Sequence, residues 1–147
     1  MSSSHSPPNT CQDAKIEYLK MIQTIIARMS RFGFFLKGWG VTLLAAILAV
    51  ASQTEQSTVL IMIALVPTVI FWLLDAFFLQ TEYKYRNLYD HARQLSNDQV
   101  DFDLNPHAAH ISPVEPLISF VSSFTLKLFW GALFCVNVVA LIASSVV

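Results

Sequence analysis

Two ionisable residues stand inside stretches that otherwise carry no charge. Lys37 lies in FGFFLKGWGVTLLAAILAVAS, Phe32 to Ser52, and Asp75 lies in TVLIMIALVPTVIFWLLDAFFL, Thr58 to Leu79. A lone ammonium or carboxylate in hydrocarbon is costly, so such residues face protein, pair with one another, or line a water-filled path. Five residues, Gln53 to Ser57, join the stretches, which forces them to lie antiparallel and adjacent. At 1.5 Å per helical residue, their distances from the middle of that link put Lys37 and Asp75 within about 5 Å of one depth. One role is a salt bridge that sets the hairpin register; the other is an ion path or gate lined by one or both. The apolar neighbours in FWLLDAFF make an unpaired carboxylate there costly.

Other residues offer weaker chemistry. Thr42, Thr68 and Asn137 are polar positions within apolar stretches, and Asn137 can bond between helices or face a pore. Gly33, Gly38 and Gly40 around Trp39 allow close helix approach, within a chain or between chains. Pro67 is expected to kink the second stretch. Tyr18, Tyr83, Tyr85 and Tyr89 lie among Lys15, Lys20, Lys84 and Arg86, with Arg28, Arg31 and Arg93 nearby. Aromatics between cations can stack bases and hold phosphates, or they can anchor and pair juxtamembrane helices. His91, His107 and His110 match no zinc spacing, and Asp98, Asp101 and Asp103 lack calcium-loop spacing and its glycine. With no nucleophile–base pair, phosphate-cradling glycine loop or dinucleotide fingerprint, neither an enzyme nor a cofactor is expected.

The elements that position these residues are dictated by composition. Hydrophobic residues make up 54% of the 147 and charged ones 13%, with a mean hydropathy of +0.53. The apolar residues come in blocks without polar faces, so an all-α membrane protein is expected. Each hairpin limb is long enough to cross roughly 30 Å of hydrocarbon. Residues 1–13 read as a disordered tail whose last residue, Asp13, can cap the helix that begins at Ala14. No secretory leader is expected. Residues 14–31 read as an amphipathic helix with Ile16, Leu19, Ile22, Ile26 and Met29 on one stripe, running on past Gly33 into the first limb. The second limb should continue through QTEYKYRNLYDHARQL, with Glu82–Arg86 and Asp90–Arg93 pairs. The two extensions form a helical stalk, and Asn97 to Pro116 breaks into an acidic loop.

The net charge of −1 is uninformative, but its distribution is not. Lys15, Lys20, Arg28 and Arg31 precede the first limb, Lys84, Arg86 and Arg93 come after the second, and the link has no Lys or Arg. The positive-inside rule places the N-terminus and residues 80–116 in the cytoplasm. Residues 117–147 read as an interfacial segment, LISFVSSFTL, followed by a third span from Leu128, with Lys127 at the headgroups. The alternative is two spans plus a surface-lying tail. Trp39, Trp72 and Trp130 fall toward the cytoplasmic half, as interface anchors do. Cys11 and Cys135 are expected at different depths and unbridged.

IEYLKMIQTIIARM, FFLKGWGVTLLAAI and ALVPTVIFWLLDAFFLQTEYKYRNLYDHAR together resemble the SLATT group of small bacterial membrane effectors. The likeness covers roughly Lys15 to Arg93 and is sharpest in LKGW and FWLLDA. It implies a two-span module with a helical extension, encoded beside nucleotide-signalling enzymes and forming pores that disrupt the membrane during phage infection. In the similar membrane effector of the Hailong defence system, a partner nucleotidyltransferase makes single-stranded DNA oligomers that hold a channel closed. The third apolar stretch departs from the two-span pattern. A chain this short has too few spans to enclose a water path alone, so conduction would require a homo-oligomer, a tetramer by expectation. The pore or gate candidates are then Lys37, Asp75, Thr42, Thr68 and Asn137. An oligonucleotide or partner protein would act on the stalk through Lys15, Tyr18, Lys20, Arg28, Arg31, Tyr83, Lys84, Tyr85, Arg86, Tyr89 and Arg93. The rival expectation is a non-conducting anchor in the inner membrane that recruits a cytosolic defence enzyme.

Overall fold

A computed structural model describes residues 10–54, 57–108 and 111–146. Among them every regular element is helical: α1 Thr10–Ala51, α2 Ser57–Gln94, α3 Leu117–Val121 and α4 Phe124–Val146, with a 3-10 turn at Asn97–Gln99. The helices α1, α2 and α4 are long and apolar enough to cross a membrane. Both α1 and α2 run well past their apolar limbs, since neither extension contains a residue that breaks a helix.

Several boundaries differ from expectation. The helix α1 begins at Thr10, so Thr10 to Asp13 are helical although the sequence assigns them to the tail. Asp13 lies in the first turn, where its charge favours the helix N-terminus without capping it. Residues 1–9 of that tail, Glu55 and Gln56 of the link, and His110 lie outside the described residues. The helix α2 continues unbroken through Pro67. Beside it, the Thr68 hydroxyl donates to the Ala64 carbonyl at 2.9 Å. The segment LISFVSSFTL divides: five residues form α3, the chain turns at Ser122, and α4 starts at Phe124. Lys127 is therefore an exposed residue within α4.

The chain forms two compact units, and both α1 and α2 contribute to each. The first comprises the described residues up to Arg28 together with Glu82–Val114. Its core pairs Tyr18 and Ile22 of α1 with Leu88 and Ala92 of α2, two turns of each helix meeting at i,i+4 spacing. Val100 and Ile111, from the segment that the sequence reads as a loop, complete this core. The segment is thus a packed strap. Its backbone is held by side chains of both helices: the Tyr18 hydroxyl donates to the Asp103 carbonyl, and Asn87 Nδ2 donates to the Ser112 carbonyl at 3.1 Å. Phe102, at φ 58°, sits in the left-handed region and meets the Tyr18 ring edge-on at 5.5 Å. Lys15 Nζ donates to the carbonyls of Arg93 and Leu95 at 3.3 and 2.6 Å, capping the C-terminus of α2.

Burial, with Asp101 and Asp103 close by, raises the Tyr18 pKa above its usual 10. The folded unit thus resists ionisation of this phenol. Stability is fully present below about pH 10, where an unfolded tyrosine titrates, and is lost as pH rises toward the higher folded value. Tyr18→Phe keeps the ring packing but removes the hydrogen bond. It is expected to cost about 1 kcal/mol at neutral pH and to flatten the alkaline limb of the stability profile. Amide exchange at residues 99–108, faster in the variant, checks the first expectation; denaturation followed from pH 8 to 11 checks the second.

The second unit comprises the described residues of Met29–Thr81 and those from Glu115 onward. Its buried residues include Leu44 and Ala51 of α1, Ile61, Ala64, Thr68, Asp75 and Ala76 of α2, and Leu126, Trp130 and Asn137 of α4. Phe32 and Phe78 stack at 5.4 Å, and Thr58 meets Ser144 at 3.2 Å. The outward faces are strongly apolar, with Phe34, Trp39, Ile118, Phe124, Leu128 and Val139 all widely exposed.

Candidate functional site

The inward stripe of α1 in the second unit runs through Gly33, Lys37, Gly40 and Leu44, spaced by three or four residues and so on one helical face. Asp75 of α2 meets that stripe. Lys37 Nζ lies 2.5 Å from Asp75 Oδ2. The same oxygen accepts the indole N–H of Trp130 at 2.8 Å. One carboxylate therefore ties α1, α2 and α4 together. Asp75 is 2% exposed and Trp130 0%, while the Lys37 side chain keeps 26% of its surface.

Two glycines make this approach possible. A Cβ on Gly33 would stand 2.9 Å from Asp75 Oδ1, and one on Gly40 would stand 2.8 Å from the Trp130 ring. Gly38 is different, because nothing lies within 4 Å of its Cβ position. The three glycines that look alike in sequence thus divide, two serving packing within the chain and one facing outward.

Of the five pore or gate candidates, Lys37 and Asp75 meet directly, and Thr68 and Asn137 are buried in the same unit. Thr42 is exposed and donates to the Gly38 carbonyl at 3.0 Å, in a shallow groove with Phe35 and Trp39. Asn137 is 1% exposed. Its Nδ2 donates to the Leu133 carbonyl at 3.1 Å, and its Oδ1 has no partner among the described residues. Asn137 is therefore buried within its own chain, bonded along its own helix. Asn137→Leu is expected to leave stability unchanged or raise it by about 1 kcal/mol, because a buried unsatisfied acceptor disappears. Thermal unfolding in detergent checks this, and a clear loss would mean that Oδ1 has a partner in the membrane.

Trp130, an interface anchor by its position in the sequence, is instead a fully buried ligand of Asp75. Its spacing of seven from Asn137, on a single face of α4, is the signal in the sequence that could have shown this. Trp39, by contrast, is 66% exposed.

The aromatic and basic candidates belong mostly to the first unit, and burial separates them. Tyr18 is 1% exposed and part of the core, so it presents no face for a base to stack on. Tyr85 and Tyr89 pack against that core, and Tyr89 also takes a hydrogen bond from Gln23 at 3.1 Å. Tyr83 is exposed. Lys15 is committed to the end of α2, Lys84 is half-buried, and Lys20, Arg28, Arg31, Arg86 and Arg93 are exposed. Arg86 binds Glu82 through two nitrogens at 2.6 and 2.9 Å, Arg93 lies 3.6 Å from Asp90, and Lys20 lies 3.7 Å from Glu17.

The acidic segment is organised in a way that aspartate counting misses. Asp101, Asp103 and Asn105 each accept, through Oδ1, the backbone N–H two residues ahead. These are successive Asx turns. No cluster of His, Cys, Asp and Glu able to hold a metal ion occurs among the described residues. Both cysteines are free and exposed.

No family model matches the chain, and neither a curated protein nor a solved structure matches it.

Proposed function

We propose that this chain is the subunit of a homo-oligomeric ion channel in the bacterial inner membrane. The observation that carries the reading is the Lys37–Asp75 pair, which joins two apolar limbs that carry no other charge. Ion pairs at that depth are rare unless they serve a conduction path or a switch. A pore would form between copies, tetrameric by expectation, so its walls come from outward faces. Thr42 and open Gly38 lie on such a face of α1. Thr68, Asp75 and Asn137 would act on conduction through helix packing instead of by contact with ions.

The N-terminus and the first unit lie in the cytoplasm in this reading, by the positive-inside rule. That unit receives the gating signal, a single-stranded DNA oligonucleotide or a partner such as a nucleotidyltransferase, on exposed Tyr83, Lys20, Arg28, Arg86 and Arg93. The likeness of LKGW and FWLLDA to SLATT effectors supports an antiviral role, depolarising the cell in an abortive response to phage. The protein performs no catalysis.

A second reading is a non-conducting anchor that recruits a defence enzyme. It is favoured by the full engagement of Asp75 between Lys37 and Trp130, which suits a structural tie. Planar-bilayer recording of the purified chain separates the two. The channel reading expects unitary currents whose conductance changes when Thr42 is enlarged. It fails if no current passes with or without short single-stranded DNA and a co-purified partner.

A further inference from the structure

The cations of the first unit divide by whether the chain balances them. Lys20 lies 3.7 Å from Glu17, Arg86 2.6 Å from Glu82 and Arg93 3.6 Å from Asp90. Lys15 is committed to the carbonyls at the end of α2. Arg28 and Lys84 have no acidic partner among the described residues. The division follows distance along the helices. Arg28 stands four residues before the apolar limb that opens at Phe32, and Lys84 five residues after the limb that closes at Leu79. At 1.5 Å per residue they lie about 6 and 7.5 Å beyond the hydrocarbon. The same rise puts Arg86 at about 10 Å, Lys20 at about 18 Å and Arg93 at about 21 Å. A bilayer adds an interfacial band of about 5–7.5 Å on each side of its hydrocarbon core. The unbalanced cations therefore fall at the level of lipid phosphates, and the balanced ones fall beyond it. The bond from Gln23 to Tyr89 fixes the register of the antiparallel pair. Five residues on in α1 and five back in α2, Arg28 and Lys84 come level with one another. Tyr83, 48% exposed, adds at that level an amphipathic ring of the kind that lines membrane interfaces.

We propose that Arg28 and Lys84 bind the headgroup phosphate of an anionic bilayer lipid, its oxygens accepting from the guanidinium and the ammonium. A zwitterionic lipid brings its own ammonium beside the phosphate and leaves the two cations unbalanced. An oligonucleotide offers the same phosphate chemistry, but it would have to enter the headgroup layer to reach this depth. The site rests on the proposed reading that the limbs cross a bilayer. A lipid held there ties the base of the first unit to the membrane surface and makes that junction sensitive to membrane charge.

The test is native mass spectrometry of the full chain in detergent, titrated with phosphatidylglycerol or with phosphatidylcholine. The wild type is expected to retain phosphatidylglycerol in preference. Arg28→Gln and Lys84→Gln should each cut the preference about fivefold, and together they should abolish it, with helix content by circular dichroism unchanged. Lys20→Gln with Arg93→Gln removes the same charge from beyond the interface and should keep the preference. Equal retention of the two lipids by the wild type would overturn the site, and so would equal losses in the two double variants. Retention of a short single-stranded DNA that depends on Arg28 and Lys84, with no preference between the lipids, would give these cations to the gating signal instead. Carbonate extraction of the chain from phosphatidylglycerol vesicles separates the site from the reading beneath it. A chain that resists extraction yet shows no lipid preference loses only the site, whereas a chain released by carbonate loses the membrane reading and the site together.

Discussion

Asp75→Ala is expected to lose about 3–5 kcal/mol of folding stability, the usual consequence of removing one partner from a buried ion pair. The loss has two parts. Lys37 keeps its charge in an apolar unit with only the Gly33 carbonyl, at 3.5 Å, as a described acceptor. Trp130, fully buried, loses the acceptor of its indole N–H. Asp75→Asn should fall between wild type and Ala, because an amide oxygen can still accept from Trp130 but does not balance the ammonium. The double substitution Lys37→Met with Asp75→Leu should recover much of the loss, since a well-packed apolar pair often replaces a buried ion pair without penalty. Tryptophan fluorescence during thermal unfolding in detergent measures all four proteins. Recovery in the double variant with loss of current would assign the pair to conduction, and recovery with unchanged current would make it a structural tie. If Asp75→Ala were as stable as wild type, the three-way contact at Asp75 would not exist in the membrane.

The second large effect is expected at Gly40. A Cβ there would stand 2.8 and 2.9 Å from two atoms of the Trp130 ring. That ring cannot swing aside freely, because it is 0% exposed and its N–H is held by Asp75. Gly40→Ala should therefore cost about 1–3 kcal/mol, as overpacking does, and Gly40→Leu more. Gly38 provides the internal control. It sits on the same helix two residues earlier, with open space around it, so Gly38→Ala should stabilise α1 by about 0.5–1 kcal/mol through helix propensity alone. Gly38→Leu should unfold nothing, yet in the channel reading it would alter current by placing bulk beside Thr42. Equal melting shifts for the Gly38 and Gly40 variants would refute the packing described for Trp130.

Much of the architecture is legible in the sequence because hydropathy acts over long windows. Two limbs joined by five residues have few options, and the lack of Gly and Pro carries the helix on to Gln94. The Lys37–Asp75 contact is also legible, since antiparallel limbs with a short link put the two at one depth. Other features are hidden for physical reasons. Residues bound for lipid and residues bound for the helix interior are both apolar, so periodicity does not separate the faces. Gly33, Gly38 and Gly40 look equivalent until the packing of Asp75 and Trp130 tells them apart. Trp130 looks like an anchor because indole suits a headgroup region as well as a buried carboxylate. Residues 97–114 look like a solvated loop because, among the described residues there, only Val100 and Ile111 are buried, while the backbone is pinned from Tyr18 and Asn87, far off in sequence.

Composition and block hydropathy, by themselves, determined that this is a helical chain with three segments long and apolar enough to cross a membrane. They also placed one charge of each sign on adjacent limbs, because an uncompensated ion at that depth has a prohibitive solvation cost. Only the tertiary structure decided that α4 joins the pair through Trp130, that Asn137 and Thr68 turn inward while Thr42 turns outward, and that the strap closes over Tyr18. Those outcomes depend on contacts between residues dozens of positions apart, and they are set by shape and hydrogen-bond geometry, to which hydropathy is blind.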